Sequence, residues 1–335
     1  MPAIPASVLT SAITDAIRES GYSGQLISGA RIHPRRLAVA TPTGIIQLSV
    51  YIWTLTFGGR PSLANEYRIQ MTSVESPLSI SKDSPTVLIG YEPNLRLFAG
   101  FDLTRHRTFT AGSPSVQIDR AELSREETDG LSFHRKSNDE IAVGIRPDMF
   151  MAYCLNASLL HRYGRETNVL RLLNQVSHQL QPAQHDIEVL STTRQRVVQE
   201  VNRLTRLASF RKQVLFAYGN RCAVTRVQLR LVDAAHILPV GTEGSVDHVR
   251  NGIALAPTYH RAFDAGLIYL DEQYNMRINE GQLHILEQLN LIGGIDYFRN
   301  PLERQIFLPP DPNQRPSNSF IRRGNRFRQI PNAQA

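Results

Sequence analysis

Short apolar runs separated by turn signals dominate the first 120 residues of the chain. They are rich in β-branched and aromatic residues, a composition typical of strands in a sheet. The predicted strands are 37–40, 45–57, 66–71, 86–91, 95–103 and 115–118. A further strand begins at residue 141 and leads into a helix that ends near residue 160. We therefore expect an α+β protein whose N-terminal domain, residues 1–160, is mixed and strand-rich, with a strongly curved or barrel-like sheet.

The pattern changes to helical spacing after residue 165. One helix is predicted over 165–192, with a Pro/Gln-rich break at 181–184, and a second over 194–217. Apolar residues recur three or four positions apart in the second helix, which predicts one buried stripe. The stripe consists of Val197, Val201, Leu204, Leu207, Phe210 and Val214. Residues 161–205 are predicted to form a helical linker.

Basic residues are concentrated in the second half of the chain. Its 335 residues carry 37 Lys plus Arg against 30 Asp plus Glu, a formal net charge of +7. Residues 1–160 hold 15 basic and 15 acidic groups, so the whole excess lies in 161–335, with 22 against 15. Arginine supplies 34 of the basic groups, and its planar fork suits phosphate. The charge favours a polyanionic partner, although a basic surface that serves only solubility gives the same count.

Several classes of protein are excluded. No apolar run approaches the roughly 20 residues that cross a bilayer, and the first residues do not resemble a secretory signal. Cys154 and Cys222 are the only cysteines, too few for a disulfide framework or a four-cysteine zinc site. We therefore expect a cytoplasmic protein with no membrane partner.

A strand–strand–helix unit that carries polar, reactive side chains is predicted between residues 231 and 266. His236 lies on the first predicted strand, 231–237, and Asn251 precedes the second, 253–256, by two residues. His260 and Asp264 are four apart on the short helix that follows, so both project from one face. We expect His236 to face this pair.

The segments RCAVT, DAAHI, NGIAL and HRAFDAGL surround these residues in that order. Together with the spacings of 15 and 9 residues from His236 to Asn251 and on to His260, they resemble the HNH nuclease module, or ββα-metal fold. The flanking segments resemble the HNH subgroup that is found at the C-terminus of restriction endonucleases. The resemblance covers about residues 206–275 and predicts an HNH nuclease domain over 206–300. A basic C-terminal extension, 301–335, would follow, with its last 15 residues loosely held.

The resemblance implies a role for each of these residues. His236 would be the general base that takes a proton from the attacking water, since a histidine of ordinary pKa is available in its neutral form near pH 7. Asn251 would bridge the loop and orient His236. His260, with Asp264 as its companion, would bind one Mg²⁺ or Mn²⁺ per active site.

One position departs from the family pattern. Many HNH enzymes have a metal-binding Asp, Glu or His immediately before the base, and this chain has Ala235. The nearest upstream carboxylate is Asp233, which lies on the same strand face as Ala235. Asp233 is therefore a third candidate ligand, or a residue that hydrogen-bonds to a ligand, or the metal has fewer protein ligands and Asp233 is not involved.

Double-stranded DNA is the partner that the resemblance implies. The candidate DNA-binding residues are Arg211, Lys212, Arg221, Arg250 and Arg261. A duplex has two strands to cut, which favours a homodimer.

The N-terminal domain, 1–160, is the predicted DNA-recognition domain of a restriction or defence enzyme. Its aromatic residues could hold a flipped and modified base, or could simply fill a core. They are Tyr51, Trp53, Phe57, Tyr67, Tyr91, Phe98 and Phe101. Arg60, Arg68, Arg105 and Arg107 are further candidates for DNA contact. Two alternatives stay open: a site-specific restriction enzyme that reads unmodified sequence, and a non-catalytic DNA-binding regulator on an HNH scaffold.

Overall fold

The computed structural model describes residues 4–41, 43–58, 66–110, 114–119 and 130–330. The chain divides into two compact units, Met1–Arg206 and Leu207–Ala335. The predicted recognition domain and helical linker fall in the first unit. The predicted C-terminal extension, and the nuclease domain except for its first residue, fall in the second. Arg60 and the acidic stretch 122–129 lie outside the described residues.

The first unit contains two β-sheets whose strands pair mostly antiparallel. Their strands are β1 (Ser23–Leu26), β2 (Arg35–Thr41), β3 (Gly44–Thr54), β4 (Thr56–Phe57), β5 (Glu66–Gln70), β6 (Thr86–Glu92), β7 (Leu97–Phe101), β8 (Ser115–Asp119), β9 (Leu131–Arg135) and β10 (Ile141–Ile145). The larger sheet has the order β1-β2-β3-β6-β7-β10-β9, and the smaller one β4-β5-β8. Within the larger sheet, β3 and β6 pair in parallel and the other neighbours are antiparallel.

The described strands do not close into a barrel. The order of the larger sheet is linear, with β1 and β9 at its edges. Two of the predicted strands, 66–71 and 115–118, pair with each other in the separate small sheet, which also takes the end of the predicted strand 45–57, so they do not extend the large one. The mixed, strand-rich α+β class is confirmed, and the barrel-like form is wrong.

Helices cover and follow the sheets. They are α1 (Ala6–Glu19), α2 (Leu103–His106), α3 (Phe150–Tyr163), α4 (Thr167–Ser177), α5 (Gln184–Glu188) and α6 (Thr192–Ala217). The predicted apolar stripe of α6 is buried except at the half-buried Leu207. The helix α1 was not predicted, although Leu9, Ile13 and Ile17 recur every four residues and are buried.

A buried histidine makes the first unit sensitive to acid. His161 donates from Nδ1 to the Ile141 carbonyl at 2.8 Å, and its Nε2 accepts from the Tyr153 hydroxyl at 2.9 Å. Burial lowers the pKa of His161 to about 4, whereas an unfolded histidine titrates near 6.5. The unfolded chain therefore binds the proton first. Stability from neutral His161 is complete above pH 6.5 and is lost as the pH falls from 6.5 to 4.

We expect the unfolding free energy of the first unit to fall by about 2 kcal/mol through His161 between pH 7.5 and pH 5. Urea titrations followed by the fluorescence of Trp53, the single tryptophan, measure this unit. The matched variant His161→Gln can replace both hydrogen bonds but cannot titrate, so its stability should depend less on pH. Equal pH dependence in the two proteins would contradict this assignment.

The second unit contains a strand–strand–helix arrangement and a C-terminal cover. Its elements are β11 (Asp233–His236), β12 (Gly252–Leu255), α7 (Pro257–Asp264), β13 (Ile268–Leu270), β14 (Asn275–Ile278), α8 (Glu280–Gln288), α9 (Ile295–Arg299), β15 (Arg304–Gln305) and α10 (Asn318–Phe327). β11 pairs antiparallel with β12, and β13, β14 and β15 form a second small sheet. One apolar core joins both sheets, α7 and the second half of α6, with Phe210, Ile253 and Phe263 among its most buried members.

Residues 321–327 belong to the helix α10, and Ile321 and Ile330 are buried, so the predicted loosely held tail is wrong over 321–330. Ile321 is fully buried, and α10 packs through it into the apolar core. The side chain of Arg328 is only 3% exposed because its guanidinium bonds to backbone carbonyls. The arginines of this segment were predicted to lie in a loose tail, but the side chain of one of them, Arg328, is buried. Among the described residues, none of the helices has the length and hydropathy to span a bilayer.

Candidate functional site

His236 stands at the end of β11, against the helix α6. Its ring stacks on Phe210 with 3.7 Å between centroids and 14° between planes. Its register partner on β12 is Gly252. A Cβ at position 252 would lie 2.2 Å from a methyl group of Val214, so only glycine lets α6 come this close to the strand pair. The ring of His236 is thus held between the strands and the helix.

A carboxylate from the following loop contacts His236. Nε2 of the imidazole lies 2.9 Å from Oδ1 of Asp247, and the two side chains are 12% and 14% exposed. Asp247 was not among the predicted site residues. The loop contains two carboxylates, Glu243 and Asp247, and no periodicity distinguishes them.

Asn251 is fully buried and crosses the loop between the two strands. Its Oδ1 accepts from the Leu238 amide at 2.8 Å. Its Nδ2 lies within 3.1–3.3 Å of the carbonyls of Leu238 and Val246 and of the Ser245 hydroxyl. One side chain therefore fixes both ends of the loop, including the residue just before Asp247.

The three candidate metal ligands are grouped around His260. Oδ2 of Asp233 lies 3.8 Å from Nδ1 of His260, and Oδ2 of Asp264 lies 3.3 Å from Nε2. Arg211 also holds Asp233, with Nη1 2.9 Å from Oδ1. The interaction with His260, together with Arg211 and against the effect of burial, lowers the pKa of the Asp233 carboxyl. Asp233 is therefore ionised at neutral pH.

The two carboxylates contact different nitrogens of the same imidazole, so the three side chains do not converge on one point. Within the described ranges, no set of three His, Cys, Asp or Glu side chains is arranged to hold a metal ion. Mg²⁺ commonly binds through one or two carboxylates and keeps several waters. The pair of Asp233 and His260 fits that requirement in donor chemistry, and Asp264 lies beside the other ring nitrogen.

His236 is not joined to this group. Its contacts are with Phe210 and Asp247, and no hydrogen bond or ion pair among the described residues links it to His260 or Asp264. The expectation that His236 faces the His260–Asp264 pair therefore stays a prediction.

Arg328, which was not predicted as a site residue, connects the strand β11, the helix α7 and the C-terminal segment. Its guanidinium donates to the carbonyls of Ile237 at 2.6 Å, Phe263 at 2.9 Å and His236 at 3.4 Å. It also lies 4.2 Å from the centre of the Phe263 ring and 3.8 Å from Asp264. Burial lowers the pKa of Arg328, with Asp264 acting in the opposite direction.

The candidate DNA-binding residues fall into two groups. Lys212, Arg221, Arg250 and Arg261 are exposed. Arg211 is half-buried and bound to Asp233 and to the Val232 carbonyl, which gives it a place in the site itself. In the first unit, Arg105 and Arg107 bond to the carbonyls of Asn138 and Leu78.

The aromatic residues of the first unit mostly fill its interior. Tyr51, Trp53, Tyr91, Phe98 and Phe101 are buried. Tyr51 and Trp53 also use their polar atoms internally, on the carbonyls of Ser79 and Thr72. Phe57 is 47% exposed and packs edge-on against Tyr67 at 6.3 Å. A base-binding pocket made of the whole set is therefore not present among the described residues.

Two segments of the chain match models of known protein families. Residues 222–271 match the family model described as HNH endonuclease, and residues 46–154 match the model described as methylase-associated X1. A solved structure titled modification dependent TagI restriction endonuclease aligns with 13% identity and a TM-score of 0.29 over 87% of this chain and 84% of that chain. No curated protein matches the chain significantly. Residues 222–271 thus form an HNH endonuclease domain, which makes the chain a nuclease, and HNH endonucleases generally depend on a divalent metal.

Proposed function

We propose that the chain, which carries an HNH endonuclease domain, is a metal-dependent DNA endonuclease of a restriction or defence system. The observation that carries the proposal is the strand–strand–helix unit with His236, Asn251 and His260 at the namesake positions, in the segment that matches the HNH model. The description of the first unit's family ties it to methylases, whose activity accompanies many restriction enzymes.

His236 is the general base in this proposal. Its imidazole takes a proton from water as the water oxygen attacks phosphorus. The bond from phosphorus to the 3′-oxygen breaks, which leaves a 5′-phosphate and a 3′-hydroxyl after the 3′-oxygen is protonated. Asn251 does not touch the reacting atoms and acts by holding the loop that carries Asp247.

Asp233 and His260 are the residues that would hold the divalent cation, proposed as one Mg²⁺ or Mn²⁺ per site. A bound cation would neutralise negative charge that develops on the phosphate during cleavage. Asp264 orients His260 by its contact with Nε2. Arg211 keeps the Asp233 carboxylate in place from the opposite side.

We expect unequal effects from the two carboxylates. Asp233→Asn should weaken Mn²⁺ binding about 100-fold, because it removes a proposed ligand, and Asp264→Asn about 10-fold, because it removes an orienting partner. Titration calorimetry with Mn²⁺ and no DNA measures both. The exposed Asp296→Asn is a control for charge and should bind as the unmodified chain does. A larger loss in Asp264→Asn than in Asp233→Asn would reverse the two roles.

The first unit is proposed as the DNA reader. Within that unit, residues 1–160, the predicted recognition domain, hold 15 basic and 15 acidic groups, and this lack of net charge suits selection among bases better than non-specific anchoring to phosphates. Parallel digestion of methylated and unmethylated copies of one genomic DNA, followed by end sequencing, separates a modified-base reader from a reader of unmodified sequence. Cleavage of both at random sites would contradict the assignment of a reader.

The proposed active form is a homodimer, since one site cuts one strand and a duplex has two. Analytical ultracentrifugation of the chain on a duplex that contains its site should give two copies per duplex. One copy per duplex, with both strands cut, would contradict the dimer.

A further inference from the structure

The contact between His236 and Asp247 determines which imidazole nitrogen is able to act as the base. A carboxylate accepts hydrogen bonds and, when ionised, has no proton to donate. Since Nε2 of His236 lies 2.9 Å from Oδ1 of Asp247, the neutral ring must carry its hydrogen on Nε2 to make this bond. Its lone pair is then on Nδ1, and no hydrogen bond to Nδ1 is found among the described residues.

The surroundings hold the ring in this orientation. Phe210 covers one face of the imidazole at 3.7 Å, and the His236 carbonyl accepts from Arg328 at 3.4 Å. Asp247 is held in turn, because Asn251 bonds to the carbonyl of Val246 directly before it. Burial of both side chains to below 15% exposure makes the contact stronger than the same pair in water.

We propose that Asp247 is a positioning residue for catalysis: it fixes His236 as the Nε2–H tautomer, presents Nδ1 to the attacking water, and stabilises the imidazolium that forms. This rests on the proposed function, in which His236 is the base. The substitution Asp247→Asn removes the negative charge and keeps the size of the side chain and one acceptor oxygen. Glu243, an exposed carboxylate in the same loop, offers the same change of charge without contact to His236.

The tautomer can be measured without any cleavage assay. The full chain is labelled with ¹⁵N-histidine, and two-bond ¹H–¹⁵N correlations are recorded near pH 8, with the His236 signals identified by their loss in His236→Gln. The expected pattern is the Nε2–H tautomer, which changes to a mixture in Asp247→Ala. An Nδ1–H tautomer in the unmodified chain, or a pattern that Asp247→Ala leaves unchanged, would overturn the proposal.

Kinetics test the catalytic consequence. Asp247→Asn should lower kcat about 100-fold and change KM for DNA less than about threefold, since substrate contacts are not altered. Asp247→Glu should recover part of the loss, and Glu243→Gln should cleave normally. If Asp247→Asn cleaves DNA as fast as Glu243→Gln while His236→Gln is inactive, Asp247 has no positioning role, and His236 is still the general base. If His236→Gln is fully active, the proposed function of His236 fails, and the tautomer result still decides the structural inference.

Discussion

Substitution of His236 by glutamine is expected to lower the rate of DNA cleavage by about 1,000-fold, because a positioned general base contributes 10²–10⁴-fold and glutamine cannot accept the proton. The glutamine side chain has a similar length and can still bond to Asp247, so the loop should remain folded. The rate is measured as single-turnover conversion of supercoiled plasmid in Mg²⁺, and the fold by circular dichroism. A large loss of rate with an intact fold would show that the substitution impairs the chemical step of cleavage.

His248 provides the matched control for this substitution. It is an exposed histidine of the same loop, and its Nδ1 accepts from the Arg250 amide at 3.2 Å, a bond that glutamine can replace. His248→Gln should therefore cleave within about twofold of the unmodified chain. A similar loss in both variants would mean that loop structure, rather than the base, limits the rate.

Asn251→Ala is expected to have the largest effect on stability in the second unit, about 3 kcal/mol. The substitution removes the acceptor for the buried Leu238 amide and the donors to the carbonyls of Leu238 and Val246. Buried groups left without partners cost about 1–3 kcal/mol each, and water that enters the space offsets part of this. Cleavage should fall as well, since the loop that carries Asp247 loses its anchor.

Hydrogen exchange by mass spectrometry locates the effect of Asn251→Ala. Peptides that cover residues 238–250 should lose protection before the rest of the unit, and urea unfolding gives the change in free energy. Asn313→Ala, at an exposed asparagine of the same unit, should stay within about 0.5 kcal/mol of the unmodified chain. A loss below about 1 kcal/mol in Asn251→Ala would contradict the role given to its four contacts.

The strands and the long helix were predictable where the local pattern is strong. The apolar run 45–53 lies within the strand β3, which is buried from Leu48 onward, and the stripe of 194–217 lies within α6. The sheet topology was not predictable, because the parallel pairing of β3 with β6 joins segments 37 residues apart at Ser49 and Thr86. That pairing is decided by how two strands share a core, which no local pattern contains.

The site shows the same division. His236, Asn251 and His260 were found by their spacing and neighbouring residues, and their placement on strand, loop and helix follows from local structure. Asp247 could not be chosen over Glu243, since its contact depends on the path of a loop that Asn251 fixes. Arg328 contacts the carbonyl of a residue 92 positions earlier, and its charge alone predicted solvent exposure. Long-range contacts made by polar side chains could therefore not be predicted from the sequence.

The central claim is that this chain cuts DNA by metal-dependent hydrolysis at the HNH domain. Its most direct test is incubation of the purified full chain with supercoiled plasmids, methylated and unmethylated, with Mg²⁺, with Mn²⁺ and with EDTA. We expect nicked and linear products with 5′-phosphate and 3′-hydroxyl ends from at least one plasmid in Mg²⁺ or Mn²⁺, and no such products in EDTA. Intact plasmid in every cation, or equal cleavage in EDTA, would contradict it.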